Sequence, residues 1–179
     1  MTQAIRVWTD NLPEQRFLEA ILRHQSYRNA IVVDSGLGGT SILSIGSSAL
    51  LRHPEQPVAM VLNADTEVPS EVKELRDGIV GYMGYGPRDN WIVALAVPKV
   101  DEWALADERI RREFENSPTL RNDRYNQAIA MKKLTEKTPF DVTALRRSCH
   151  EFRLLDEFLE QHAESFAGVT TRSGTSEAS

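Results

Sequence analysis

The sequence predicts an α/β fold, a four-stranded and mainly parallel sheet flanked by helices, with a helical extension at the C-terminal side. Four short apolar runs alternate with segments whose apolar residues recur at helical spacing. The runs cover residues 5–8, 30–33, 58–62 and 91–97. Strand–helix alternation of this kind is typical of right-handed βαβ units, in which successive strands run parallel. The third run is almost wholly apolar, which favours a central strand buried on both faces.

Each predicted helix of the α/β part has its own signal. Asn11 can cap the first helix, and Pro13 suits its first turn. In the second helix, from about residue 40 to 52, Gly46 permits close packing on the sheet. Pro69 marks the start of the third helix. Its expected inward-facing residues are Val72, Leu75, Ile79 and Met83.

Beyond Trp103 the pattern is helical only, so we expect an α/β domain over residues 1–103 and a helical extension over residues 104–166. A long helix is expected after Asp141. Its apolar positions at helical spacing are Leu145, Cys149, Phe152, Leu155 and Leu159. Residues 167–179 are rich in Ser, Thr and Gly, which predicts a disordered tail.

Composition excludes several classes of protein. The net charge of −5 argues against a strongly basic nucleic-acid-binding coat, and no apolar run reaches the length of a membrane span. One cysteine, Cys149, excludes an internal disulfide and a multi-cysteine zinc site. We therefore expect a cytoplasmic protein. Because Cys149 and His150 are adjacent on a predicted helix, their side chains diverge and make a poor catalytic pair.

Positive charge is concentrated in residues 108–153, which hold eleven Lys or Arg against seven acids. Four of these basic residues are candidates for contacting nucleic-acid phosphates. They are Lys132, Lys133, Arg146 and Arg147. The alternative is that they lie on solvated helix faces.

Carboxylates follow all four predicted strands, where open parallel sheets bind their ligands. They are Asp10, Asp34, Asp65 with Glu67, and Asp101 with Glu102. If the first and third strands are neighbours, Asp10, Asp65 and Glu67 converge. Carboxylate oxygens are the ligands that Mg²⁺ prefers, so this edge predicts a site for Mg²⁺ or Mn²⁺. The alternative role of each acid is helix capping.

The segment 35–41 follows the second strand and contains Gly38 and Gly39. Backbone amides at such a helix start can bind a phosphate. A tight turn between strand and helix is the alternative, because the segment lacks the Gly-Lys-Ser/Thr element of a P-loop.

Taken in order, these motifs resemble a Toprim (topoisomerase–primase) domain. That family has a Glu-Gly-x-x-Asp element after its first strand and Asp-x-Asp after its third, and here Asp10-Asn11-Leu12-Pro13-Glu14 and Asp65-Thr66-Glu67 occupy those places. Gly38-Gly39 matches the glycines after the second strand. Val-Pro-x-x-Glu-x-Trp and Ser/Cys-x-x-Phe elements of small bacterial OLD-nuclease-like Toprim proteins match residues 97–103 and 149–152, with Asp101 in the place of the motif's Glu and Glu102 after it.

The resemblance implies a Mg²⁺-dependent nuclease or phosphotransfer domain acting on nucleic acids, in a phage-defence context. Asp10, Asp65 and Glu67 would hold the metal with help from Asp101 or Glu102, and Glu14 would transfer a proton. The chain departs from the family at Asp10, Asn11 and Glu67, where carboxylates are shortened or lengthened and the glycine is lost. A catalytically degenerate interaction module that works with a partner ATPase is therefore the alternative.

Overall fold

A computed structural model describes residues 4–36, 38, 40–84, 88–118, 132–136 and 139–172. Within these residues the chain forms a four-stranded sheet whose strands all run parallel, in the order β2-β1-β3-β4. The strands are β1 (Ile5–Thr9), β2 (Ile31–Ser35), β3 (Val58–Asn63) and β4 (Trp91–Ala96). The predicted α/β fold is confirmed, and β3 lies inside the sheet as its apolar run indicated.

Helices cover both faces of the sheet and continue past it. The α-helices are α1 (Leu12–Leu22), α2 (Thr40–Arg52), α3 (Pro69–Met83), α4 (Glu108–Asn116), α5 (Val142–Ser148) and α6 (His150–Arg172). Short 3-10 helices cover Arg28–Ala30, Arg88–Asn90 and Val100–Ala106, and residues 132–136 are helical. In the part of the chain that the structure describes, no helix is long and apolar enough to cross a bilayer.

The two faces of the sheet pack against two separate apolar cores, to which alternate residues of β3 and β4 contribute. One core packs α1 and α6 against the sheet through Phe17, Phe152 and Leu155. The other lies under α2 and α3 and includes Met60. A Cβ at Gly46 of α2 would overlap the Met60 thioether, so the predicted close approach at this glycine is confirmed.

The helix expected after Asp141 is divided at Cys149, which has an extended backbone (φ −119°, ψ 108°). The prediction of one continuous helix through Leu145 and Phe152 was wrong. Cys149 ends α5 and then accepts a hydrogen bond from the backbone N–H of Phe152 at its Sγ (3.5 Å). A side chain that satisfies a first-turn amide lets a new helix begin in another direction.

Two further predictions differ from the structure. Leu75 is exposed, because α3 buries only Ile79 and Met83 against the sheet. Helix α6 continues to Arg172, past the expected start of the tail at residue 167. Each residue added to a formed helix gains a backbone hydrogen bond, so polar residues can extend it. The rest of the predicted tail, residues 173–179, lies outside the described residues.

Candidate functional site

The carboxyl end of β1 leads directly into α1 through a capped turn. Asn11 is the N-cap residue and its Oδ1 accepts a hydrogen bond from the Glu14 backbone N–H (3.0 Å). Its Nδ2 donates to Glu14 Oε1 (3.0 Å). The first bond caps α1, and the second holds the Glu14 side chain near Asp10, the residue that follows β1.

Asn63, the last residue of β3, joins the two acids because β3 is the neighbour of β1. Its Nδ2 donates to Asp10 Oδ2 (3.1 Å) and to Glu14 Oε1 (2.7 Å). Its Oδ1 accepts from the Val100 N–H (2.9 Å). We call Asp10, Asn11, Glu14 and Asn63 the carboxylate site. It lies where open parallel sheets bind ligands.

The electrostatics of the carboxylate site centre on Glu14, which is 7% exposed. Burial raises the pKa of the Glu14 carboxyl group, and the negative charge of Asp10 raises it further, against the opposing hydrogen bonds from Asn63 and Asn11. Among the described residues, the buried Oε2 of Glu14 has no hydrogen-bond partner. Glu14 therefore combines a perturbed pKa with an unsatisfied oxygen, as groups that transfer protons or bind cations do.

Asp65 belongs to a different set of contacts. Its Oδ1 lies 3.1 Å from Lys99 Nζ, its side chain is two-thirds exposed, and its backbone is left-handed (φ 55°). Asp101 is buried nearby, and burial raises the pKa of its carboxyl group while Lys99 lowers it and Asp65 raises it. Glu67 is exposed and Glu102 is half-buried.

The residue that meets Asp10 across the β1–β3 pair is thus Asn63, and Asp65 follows two residues later in an outward turn. In residues 4–36, 38, 40–84, 88–118, 132–136 and 139–172, no three His, Cys, Asp or Glu side chains form a group that could hold a metal ion. The expected grouping of Asp10, Asp65 and Glu67 is not formed among them. The acids instead divide into Asp10 with Glu14, which share the Asn63 amide, and the exposed Asp65 with the buried Asp101, which both lie near Lys99.

The four basic candidates lie in three places. Lys132 and Lys133 line a small cleft of about 220 Å³ with Arg16, beside the start of α1. Lys132 also pairs with Glu136 (3.1 Å). The side chains of Lys132 and Lys133 therefore lie next to the helix that carries Glu14.

The other two basic candidates, Arg146 and Arg147, are placed differently. Arg146 Nε lies 2.9 Å from Asp156 Oδ2, close enough for an ion pair although not aligned as a hydrogen bond. Asp156 is buried but the Arg146 side chain is partly exposed, so its role in contacting phosphates stays a prediction. Arg147 lines a cleft of about 790 Å³ together with Arg76 and Arg111.

Gly38 has a positive φ of 93°, a conformation that favours glycine. Its carbonyl accepts from the Ser41 hydroxyl (2.5 Å) and backbone N–H (3.2 Å). These contacts fit the alternative role of Gly38, as a residue of the tight turn between β2 and α2. Gly39, the second phosphate-loop candidate, lies outside the described residues.

Sequence reasoning missed Asn63, which organises the carboxylate site. The available signal was an amide at the end of the most apolar strand, two residues before Asp65. Comparison with known proteins found no match, either among protein-family models or among curated proteins and solved structures.

Proposed function

We propose that the chain is a Toprim-like domain that cleaves or transfers nucleic-acid phosphodiesters with the help of one Mg²⁺ or Mn²⁺ held by Asp10 and Glu14. The observation that carries the proposal is the buried, unpartnered Glu14 Oε2 beside Asp10, among the described residues. Two carboxylates that share one amide donor repel each other, and a divalent cation would relieve that repulsion.

The donor set fits a hard cation. Mg²⁺ is commonly bound through one or two carboxylates, with water and substrate phosphate completing its coordination. Asn63 would not be a ligand through its amide nitrogen, because Nδ2 donates to both carboxylates. Its role is to hold Asp10 and Glu14 in place. Asp65 pairs with Lys99, so the proposed cation site does not include it, and it does not include Glu67, Asp101 or Glu102.

The chain's own residues would act on protons and phosphates. Because burial and Asp10 raise its pKa, Glu14 holds a proton more readily than an ordinary glutamate, and a cation binding at its carboxylate would displace that proton. Arg16, Lys132 and Lys133 lie beside the start of α1, where they can contact backbone phosphates. A bound cation would supply neutralisation of phosphate charge and a more acidic water.

The second candidate is a non-catalytic interaction module working with a partner ATPase. The observation that favours it is the pairing of the acids within the protein. Asn63 donates to both Asp10 and Glu14, and Lys99 neutralises Asp65. A site whose acids are paired in this way has less need of a cation.

Calorimetric titration with Mn²⁺ and Mg²⁺ tests the proposal in the wild type, Asp10→Asn and Glu14→Gln. The matched control is Asp34→Asn, since Asp34 also lies at a strand end but pairs with Arg6 (2.8 Å). Binding in the wild type and control, lost in the two site variants, supports the cation site. Cleavage assays on single-stranded DNA, duplex DNA and RNA with the same four proteins then test the reaction. If the wild type binds neither metal at millimolar concentration, the proposed cation site is contradicted and the interaction module is favoured.

A further inference from the structure

Helix α3 leaves most of its surface uncovered. Only Ile79 and Met83 among its fifteen residues are buried. Large apolar side chains on or beside it are exposed. They are Val68, Leu75, Val80 and Tyr82. A helix that flanks a sheet normally turns its apolar stripe inward, so exposed apolar residues concentrated on one helix mark an interaction surface.

An apolar groove of about 750 Å³ runs along this helix beside α2. Leu43 of α2 forms one wall, Ala64 follows the carboxyl end of β3, and Leu75 and Tyr82 form the α3 wall. Leu75 is 41% exposed and Tyr82 is 49% exposed. A half-exposed tyrosine next to an apolar floor is a common anchor of protein interfaces.

The rim of the groove is acidic throughout. The charged residues that line it are Asp65, Glu71 and Glu74, with no basic residue among them. Asp65 pairs with Lys99, and Glu71 accepts a hydrogen bond from the Thr66 hydroxyl. Within the described residues, Glu74 makes no ion pair. An apolar floor inside a negative rim is complementary to an apolar segment that carries cations.

The two glycines inside α3 also fit an interaction surface on this helix. A Cβ at Gly78 or at Gly81 would meet no described atom within 4 Å, so the packing of this chain does not require glycine there. Glycine inside a helix is unfavourable relative to alanine. Gly78 lines the groove, where the missing side chain leaves room for a partner backbone to approach.

We infer that this groove docks an amphipathic, Lys- or Arg-bearing helical segment of a protein partner. The apolar side chains of the segment lie on Leu43, Leu75 and Tyr82, and its cations face Glu71 and Glu74. This mode, a helix laid in a groove, needs apolar anchors on one face and polar residues on the other. The inference does not depend on the carboxylate site or on catalysis.

Two synthetic helical peptides of equal length and identical leucine positions test it, one with lysine and one with glutamate at the polar positions. Fluorescence anisotropy measures their binding to the full chain. We expect saturable one-to-one binding of the lysine peptide and none of the glutamate peptide. The double variant Glu71→Gln, Glu74→Gln should weaken binding roughly tenfold, since two rim charges are removed. Leu75→Ser should weaken it by a similar factor, about tenfold.

Matched controls are Glu113→Gln on α4 and Leu154→Ser on α6, both exposed and outside the groove. Each should bind the lysine peptide as the wild type does. Equal binding of the two peptides, or equal losses in the groove variants and controls, would overturn the inference. Sedimentation of the peptide-free chain provides a further check. A dimer that Leu75→Ser dissociates would assign the groove to a second copy of the chain and also overturn it.

Discussion

The Asn63 amide donates to the Glu14 carboxylate, with Nδ2 lying 2.7 Å from Oε1. The same oxygen accepts from Asn11 Nδ2, so both amide donors converge on Oε1 while Oε2 stays buried without a partner among the described residues. One glutamate therefore combines a fully engaged oxygen with an orphaned one. The unpaired Oε2 costs stability, but it is also the oxygen available to the proposed cation. Function and stability therefore make opposite demands on Glu14.

Glu14→Gln should stabilise the protein at neutral pH by about 0.5–1 kcal/mol. The glutamine Oε1 can still accept from Asn63 and Asn11, and its Nε2 replaces the orphaned oxygen beside Asp10. Because the pKa of Glu14 is raised in the native state, the wild type loses stability as pH rises from the ordinary value of 4.5 through the raised one. Denaturant unfolding at several pH values should show that the variant and the wild type differ in free energy of unfolding at neutral pH, and that this difference vanishes below pH 4.5. If the variant were less stable than the wild type at neutral pH, the native state would favour the charged form of Glu14, contrary to this prediction.

Asp65→Asn should leave the free energy of unfolding within about 0.5 kcal/mol of the wild type. Asp65 is exposed, its ion pair with Lys99 lies at the surface, and asparagine tolerates its left-handed backbone as well as aspartate does. Melting curves with and without Mn²⁺ should show a metal response retained in Asp65→Asn and lost in Asp10→Asn. Loss in both would place Asp65 among the ligands, as the sequence motif predicts.

Tyr27→Phe should destabilise the protein by about 1–3 kcal/mol. The Tyr27 hydroxyl donates to Asp156, which is 1% exposed, so its removal leaves a buried carboxylate short of a donor. Burial already raises the pKa of Asp156, and the Tyr27 hydrogen bond counteracts it. The cost should shrink as pH falls, because a protonated Asp156 has no charge to stabilise. Urea unfolding compares this variant with Tyr82→Phe, whose exposed ring should make the change neutral.

Gly46→Ala and Gly78→Ala should have opposite effects although both lie inside helices. A Cβ at position 46 would overlap the fully buried Met60 side chain, and the overpacking should cost about 1–3 kcal/mol. A Cβ at position 78 meets no described atom within 4 Å, so alanine should stabilise α3 by up to about 1 kcal/mol. Thermal unfolding of the two variants measures both. Stabilisation by Gly46→Ala would show that α2 can move away from the sheet without loss.

The sequence alone was sufficient to predict the four strands and the parallel arrangement of the sheet. Apolar runs, helical periodicity and caps such as Asn11 are local signals, and each is satisfied by the residues next to it along the chain. The capping of α1 by Asn11 and the close packing at Gly46 follow from residue type at a known place in a helix. The cap at Asn11 is local to the start of α1, whereas Gly46 indicates only that α2 packs closely, and its partner, Met60 of β3, is set by the tertiary structure.

Only the tertiary structure decided which acids meet. The register pairs Thr9 with Val61, which brings Asn63 rather than Asp65 to Asp10. A run as uniformly apolar as residues 58–62 contains no marker of its register, because every residue is suited to either face. In the same way Arg146, an ordinary surface cation by sequence, pairs with the buried Asp156 once α6 turns away from α5 at Cys149. Side chains distant in the chain meet only through strand register and helix direction, which depend on the whole packed core.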